Sequence, residues 1–118
     1  MRMPRPNGRL RIIIANEPRS YRDALAGVIK QARPRDGVMN VDPRQLEQVL
    51  RRSPGALVVC SEVSPAVQRL AGAWVRLGAH GEVEISSEAG VEAVAQRGGL
   101  DAVLDAVDAA GTRLAHLR

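Results

Sequence analysis

Apolar positions along the chain fall into two kinds of pattern. Leu10–Ala15 and Ala56–Cys60 are short, nearly continuous aliphatic runs. Strands buried on both faces look like this, and they belong to parallel sheets covered by helices. The other pattern is helical. Tyr21, Ala24, Leu25, Val28, Ile29 and Ala32 recur at helical spacing up to Pro34, Leu46, Val49 and Leu50 do so after Asp42-Pro43, and Val67, Leu70, Ala71, Trp74 and Leu77 do so up to Gly78. Asp42-Pro43 and Ser64-Pro65 each offer a capping acceptor followed by proline at the first helical position, and Ser20 with Asp23 has the spacing of a capping box. Gly37–Val41 reads as a weak strand. The first two-thirds of the chain is therefore β-α-β-α-β-α, which predicts right-handed crossovers and a parallel sheet.

The last third breaks this rhythm. Only 21 residues run from Gly78 to Gly98, whereas a strand–helix–strand unit takes about 30. Glu82–Ser86 alternates polar and apolar, with Val83 and Ile85 on one side, and predicts a half-exposed fourth strand. Residues 91–95 are expected to return as an antiparallel strand after a turn at Glu88–Gly90, a short helix capped by Ser87 being the alternative. Leu100, Val103, Leu104, Val107 and Leu114 mark a final helix from about residue 99. The expected fold is a flavodoxin-like three-layer α/β sandwich with a parallel four-stranded sheet and an irregular or antiparallel fifth element near 88–98. Residues 1–9, with two prolines and three arginines, are expected to form a flexible basic arm before a single domain spanning 10–118.

Length and composition narrow the function classes. A chain of 118 residues fits one domain, and 45% apolar content suffices for a core. No apolar run approaches the roughly 20 residues of a membrane span, and no secretory apolar segment is visible, so a cytoplasmic protein without membrane contact is expected. One cysteine excludes an internal disulfide and a cysteine-based zinc site. The net charge of +4 is unevenly spread: residues 1–59 carry 12 Lys/Arg against 5 Asp/Glu, and residues 60–118 carry 5 against 8. Arg2, Arg5, Arg9, Arg11 and the Arg51-Arg52 pair could meet phosphates. The sequence holds no helix-turn-helix, zinc-finger spacing or aromatic platform, so nucleic acid is not the favoured partner.

Ligands of open parallel sheets bind beyond the carboxyl ends of the strands. Asn16, Glu17, Cys60, Ser61 and Ser86 are the candidates for such a pocket. The residues after the first strand, Asn-Glu-Pro-Arg-Ser, contain neither a dinucleotide fingerprint nor a phosphate loop. Leu10-Arg-Ile-Ile-Ile-Ala-Asn-Glu-Pro-Arg-Ser-Tyr-Arg-Asp-Ala-Leu25 resembles the opening of a CheY-like response-regulator receiver domain, and Ser53–Pro65 resembles that family's third strand and following loop. The resemblance covers about residues 10–77. It implies that Asn16 and Glu17 stand where the family holds magnesium with an acidic pair, and that Cys60 or Ser61 stands at the phospho-accepting aspartate. Ser86 or Ser87 would supply the hydroxyl that reads the phosphoryl group. The family's fifth-strand lysine has no counterpart, because the only lysine, Lys30, lies in the first helix. Mg²⁺ needs more hard oxygen ligands than one carboxylate. The resemblance thus implies a degenerate receiver that cannot form an aspartyl phosphate.

Other chemistry has a plainer reading beside it. Cys60 or Ser61 with His80 as base would make a nucleophilic pair, but no nucleophile elbow or orienting acid accompanies them, and Cys60 reads as a core residue. Arg19 and Arg22 could attract an anion to a helix start, or lie solvated on the surface. Trp74 belongs to the predicted third helical stripe. Asp101, Asp105 and Asp108 give the last helix an acidic side, which reads as a solvated face or, as the resemblance implies, since receivers dimerise or dock through their last strand and helix, as the contact surface for a protein partner or a second copy. The chain is expected to be a non-catalytic, receiver-like signalling or regulatory module without a cofactor or metal. The alternatives are a small α/β enzyme or ligand-binding domain, or a basic nucleic-acid accessory protein.

Overall fold

A computed structural model describes residues 10–116. The chain runs β1 (Arg11–Ala15), α1 (Arg19–Ala32), β2 (Gly37–Asn40), α2 (Leu46–Arg52), β3 (Leu57–Cys60), α3 (Pro65–Leu70), β4 (Ala73–Leu77), β5 (Val83–Ser87), β6 (Gly90–Ala95) and α4 (Leu100–His116), with a 3₁₀ turn at Pro43–Gln45 leading into α2. The predicted basic arm lies outside the described residues.

All six strands form one mixed sheet in the order β2-β1-β3-β4-β5-β6. β1 pairs in parallel with β2 and β3, and β3 with β4, while β4–β5 and β5–β6 are antiparallel. Alternation along the strands splits the core in two. Ile12, Ile14, Leu57, Val59, Val75 and Val83 pack under α1 and α4, and Ile13, Val58, Cys60 and Trp74 pack under α2 and α3. The result is three layers, with α1 and α4 on one face and α2 and α3 on the other.

Three expectations change. The helix predicted from Ser64-Pro65 to Leu77 ends at Leu70, and residues 73–77 form β4, so Trp74 is a strand residue. Gly72 explains the break: its N–H donates to Ala56 O at 2.8 Å, and a Cβ there would lie 2.4 Å from Gly55 O. The backbone of β3's approach therefore crosses where a third helical turn would stand. Ala73, Val75 and Leu77 then face one layer and Trp74 the other, a strand pattern that five helically spaced apolar residues concealed. As a consequence, the fourth strand parallel to the rest is β4, and residues 83–87 return antiparallel to it instead of extending the parallel sheet. The antiparallel strand expected at 91–95 is present as β6.

The third change concerns α1, which starts at Arg19, so Ser20 and Asp23 form no capping box. Its buried stripe is Arg22, Leu25, Ala26 and Ile29, rotated away from Tyr21, which is 41% exposed. Arg22 holds its place through bonds to Asn40 Oδ1 at 2.7 Å and Asn16 O at 3.2 Å. Elsewhere the capping signals act as read. Asp42 accepts Arg44 N–H at 2.9 Å, and Ser64 Oγ accepts Val67 N–H at 3.3 Å. The Arg44 side chain also bonds Asp42 and holds its carboxyl at about 2.

Candidate functional site

The strand order changes direction at β1. The chain leaves β1 through α1 to reach β2 on one side, and β3 then falls on the other side of β1. The connections that leave the carboxyl ends of β1 and β3 therefore turn to opposite faces of the sheet, to α1 on one and α3 on the other, and leave a gap between them. Around it lies a cleft of about 930 Å³. Glu17 and Pro18 from the β1–α1 turn, Tyr21 from α1, Ser61 and Glu62 after β3, and Arg76 to Gly78 at the end of β4 line it.

Of the residues expected to line such a pocket, Glu17 and Ser61 line this cleft, whereas Asn16 and Cys60, at the same strand ends, are buried and do not. Glu17 N–H donates to Ser61 Oγ at 3.1 Å and ties the two strand ends together. Glu17 is exposed and Ser61 half-buried. Asn16 is fully buried, and neither atom of its side-chain amide has a hydrogen-bond partner. Its carbonyl is the acceptor for Arg22. Asn40, which takes the Arg22 Nε bond, donates to Asp23 Oδ1 at 2.6 Å, so an Arg–Asn–Asp chain braces the start of α1 against β2.

Cys60 is 1% exposed and faces the α2/α3 layer, where its Sγ lies 3.8 Å from Val75 O. Burial pushes its thiol up to about 12. A thiol in that environment stays protonated at neutral pH and lacks the thiolate that nucleophilic chemistry needs. His80 is not brought to it. The imidazole is exposed in the β4–β5 turn, and His80 N–H donates to Glu82 Oε1 at 2.9 Å.

Ser86 departs from its predicted place. With β5 antiparallel, Ser86 stands near the amino end of β4 and its Oγ accepts Trp74 N–H at 3.0 Å. It lines a separate groove with Gln68, Gly72 and Val91, at the edge of the sheet opposite the cleft. The cleft is lined instead by Leu77 and Gly78 at the end of the fourth parallel strand. The acidic residues Asp101, Asp105 and Asp108 on α4 are all exposed, and Asp108 accepts from Arg33 Nη1 at 2.6 Å. Arg33 also bonds Asp36, itself an acceptor for Leu10 N–H at 3.0 Å. Asp108 therefore joins α4 to the α1–β2 turn.

Among the cleft residues that the sequence does not single out, three carry polar side-chain groups, Tyr21, Glu62 and Arg76. Tyr21 and Glu62 have no partner pattern in the sequence, and Arg76 falls within the stretch that reads as the third helix. Arg76 Nε pairs with Glu84 Oε1 at 2.8 Å across β4 and β5, which holds the guanidinium against the sheet and raises its pKa. Tyr21 is the only aromatic residue on the cleft wall, and partial burial raises its hydroxyl pKa. Glu17 and Glu62 have no cation within ion-pair distance among the described residues, which also contain no cluster of three metal-ligating side chains. Arg11 and Arg51, two of the predicted phosphate contacts, bond Ser53 Oγ at 2.8 Å and Glu47 Oε2 at 2.6 Å. No helix among the described residues is long and apolar enough to cross a membrane. In comparisons with family models, curated proteins and solved structures, the chain matches none.

Proposed function

We propose that the chain is a flavodoxin-like, degenerate receiver-like module of the cytoplasm, which does no catalysis and regulates by contact with a protein partner or a second copy. The observation that carries this reading is the state of the two residues at the end of β3. Cys60 is buried with its thiol pushed up to about 12, and Ser61 Oγ is engaged by Glu17 N–H. Neither can become an aspartyl phosphate, and neither has an activating base beside it. Supporting it are the parallel order β2-β1-β3-β4 and a cleft at the direction change, the place where such folds carry their sites. What the surface offers instead of an activated nucleophile is contact area: Asp101 and Asp105 on α4, and exposed Val91 and Val94 on β6.

The test is a titration of the full chain with Mg²⁺ and a small phosphodonor, followed by amide resonances and light scattering. The expected result is unmoved Asn16, Glu17 and Ser61 amides and an unchanged solution mass. Saturable shifts confined to those residues with a change of assembly state would overturn the reading. The volume of the cleft favours a second reading, a ligand-binding domain using Glu17, Ser61 and Tyr21. Under that reading a small-molecule screen would move the same amides without any phosphodonor.

A further inference from the structure

Two carboxylates, Glu17 after β1 and Glu62 after β3, stand exposed on the cleft wall, and neither has an ion-pair partner among the described residues. The cations near them are already engaged. Arg76, the basic residue on the wall, is held by Glu84. Arg44, which lies near enough to feel the charge of Glu17, is held by Asp42. A further carboxylate, Glu82, rests against Gly78 of the wall, and hydrogen bonds from the Glu82 and His80 amides lower its pKa. The cleft is therefore acidic in a chain whose formal net charge is +4.

That balance selects among ligand classes. A phosphate or carboxylate ligand would meet two repelling carboxylates and no uncommitted cation on the wall. A divalent metal ion needs more oxygen ligands than the site brings together, since no three metal-ligating side chains cluster among the described residues. The cleft, at about 930 Å³, also has the size of a small-molecule site rather than that of a bare ion. An organic cation finds a favourable group on each side. Glu17 and Glu62 approach from different loops, and Tyr21, 41% exposed, offers a ring over which an ammonium or guanidinium group can sit. Pro18 and Ala79 give apolar surface for a carbon chain. We propose that the cleft binds a small organic cation, an amine or guanidine, between Glu17, Glu62 and Tyr21. The inference rests on the ligand-binding reading of the cleft and names its ligand class.

Three four-carbon probes that differ in charge separate the classes: a diamine (1,4-diaminobutane), a diol (1,4-butanediol) and succinate. Each is titrated into the full chain at low ionic strength, where exposed charges are least screened, and followed by amide resonances. The diamine is expected to shift the Glu17, Tyr21, Glu62 and Gly78 amides saturably, with a dissociation constant of about 1–10 mM. The diol and succinate should leave them unmoved. Glu17→Gln and Glu62→Gln should each weaken the diamine about threefold, and Tyr21→Leu about twofold to threefold. The double variant E17Q/E62Q should bind it no better than the diol. These side chains are exposed, so each variant should keep the wild-type melting temperature. Equal or tighter binding of succinate or the diol at the same amides overturns the cationic class and leaves the ligand-binding reading standing. Diamine shifts that do not saturate and extend to Asp101 and Asp105, or that persist unchanged in E17Q/E62Q, overturn the proposed site. A cleft that none of the three probes shifts overturns the proposal as well, whereas the ligand-binding reading fails only when a wider small-molecule screen also leaves these amides unmoved.

Discussion

Replacing Asn16 by valine is expected to make the protein more stable. Asn16 is the last residue of a buried run, after Ile12, Ile13, Ile14 and Ala15, and its side-chain amide is out of water with no hydrogen-bond partner for either polar atom. Leaving such a group unpaired costs about 1–3 kcal/mol. Valine removes the amide, suits an extended backbone and keeps a similar volume, at about 1 kcal/mol for refitting its branched side chain. The Arg22 bond is made to the Asn16 carbonyl and survives the change. A net gain of about 1 kcal/mol remains. With an unfolding entropy of about 2.1 cal/mol/K per residue, this gain raises the melting temperature by about 4 °C. Scanning calorimetry of wild type and Asn16→Val side by side reads the difference. A variant that melts at or below the wild-type temperature would refute the reasoning, since it would mean that the amide contributes bonding.

Further expectations follow from other buried positions. Cys60 in the native chain should resist a thiol reagent at pH 8 and react as one thiol after unfolding; native reaction at the unfolded rate would contradict its placement. Its folded pKa of about 12 exceeds the ordinary value near 9, so above pH 9 the unfolded chain loses a proton that the folded chain keeps. Stability should accordingly fall as pH rises from about 9 toward 12, and fall less steeply in Cys60→Ala. Gly72→Ala should cost about 2–3 kcal/mol in urea unfolding, because its Cβ would meet Gly55 O at 2.4 Å and Leu114 Cδ1 at 2.7 Å. Gly78→Ala is the control: its closest clash is with the movable Glu82 carboxylate, and it should stay within about 1 kcal/mol of wild type. Equal costs for the two glycines would argue against the crossing at Gly72.

How far the fold could be read in advance depended on the type of signal. β1 and β3 were legible because a strand buried on both faces leaves an unbroken aliphatic run, and α2 because Asp42-Pro43 marks its approach. The α3–β4 boundary was not legible. Val67, Leu70, Ala71, Trp74 and Leu77 fit a helix, while the feature that ends it is a backbone crossing at Gly72 that depends on residues 16 and 17 positions earlier. That one misplacement carried Ser86 into the predicted pocket, since a strand assigned one element too late puts its carboxyl end on the wrong edge. Glu17 and Ser61 fall on the cleft because the loops after β1 and β3 flank the direction change whatever happens further along the sheet, while Asn16, one residue nearer the strand, stays in the core. Arg22 looked like a surface residue because its partners, Asn40 and the Asn16 carbonyl, belong to other elements. The acidic side of α4 was legible as composition, but Asp108 is tied to Arg33 by the fold.

As proposed, the chain is a receiver-like module that carries no acceptor chemistry and acts through contact. Intact-mass spectrometry of the full chain, after incubation with a small phosphodonor and Mg²⁺, tests this most directly. The mass is predicted to remain that of the unmodified chain. A gain of one phosphoryl group, mapped to the β1 or β3 strand end, would contradict the account.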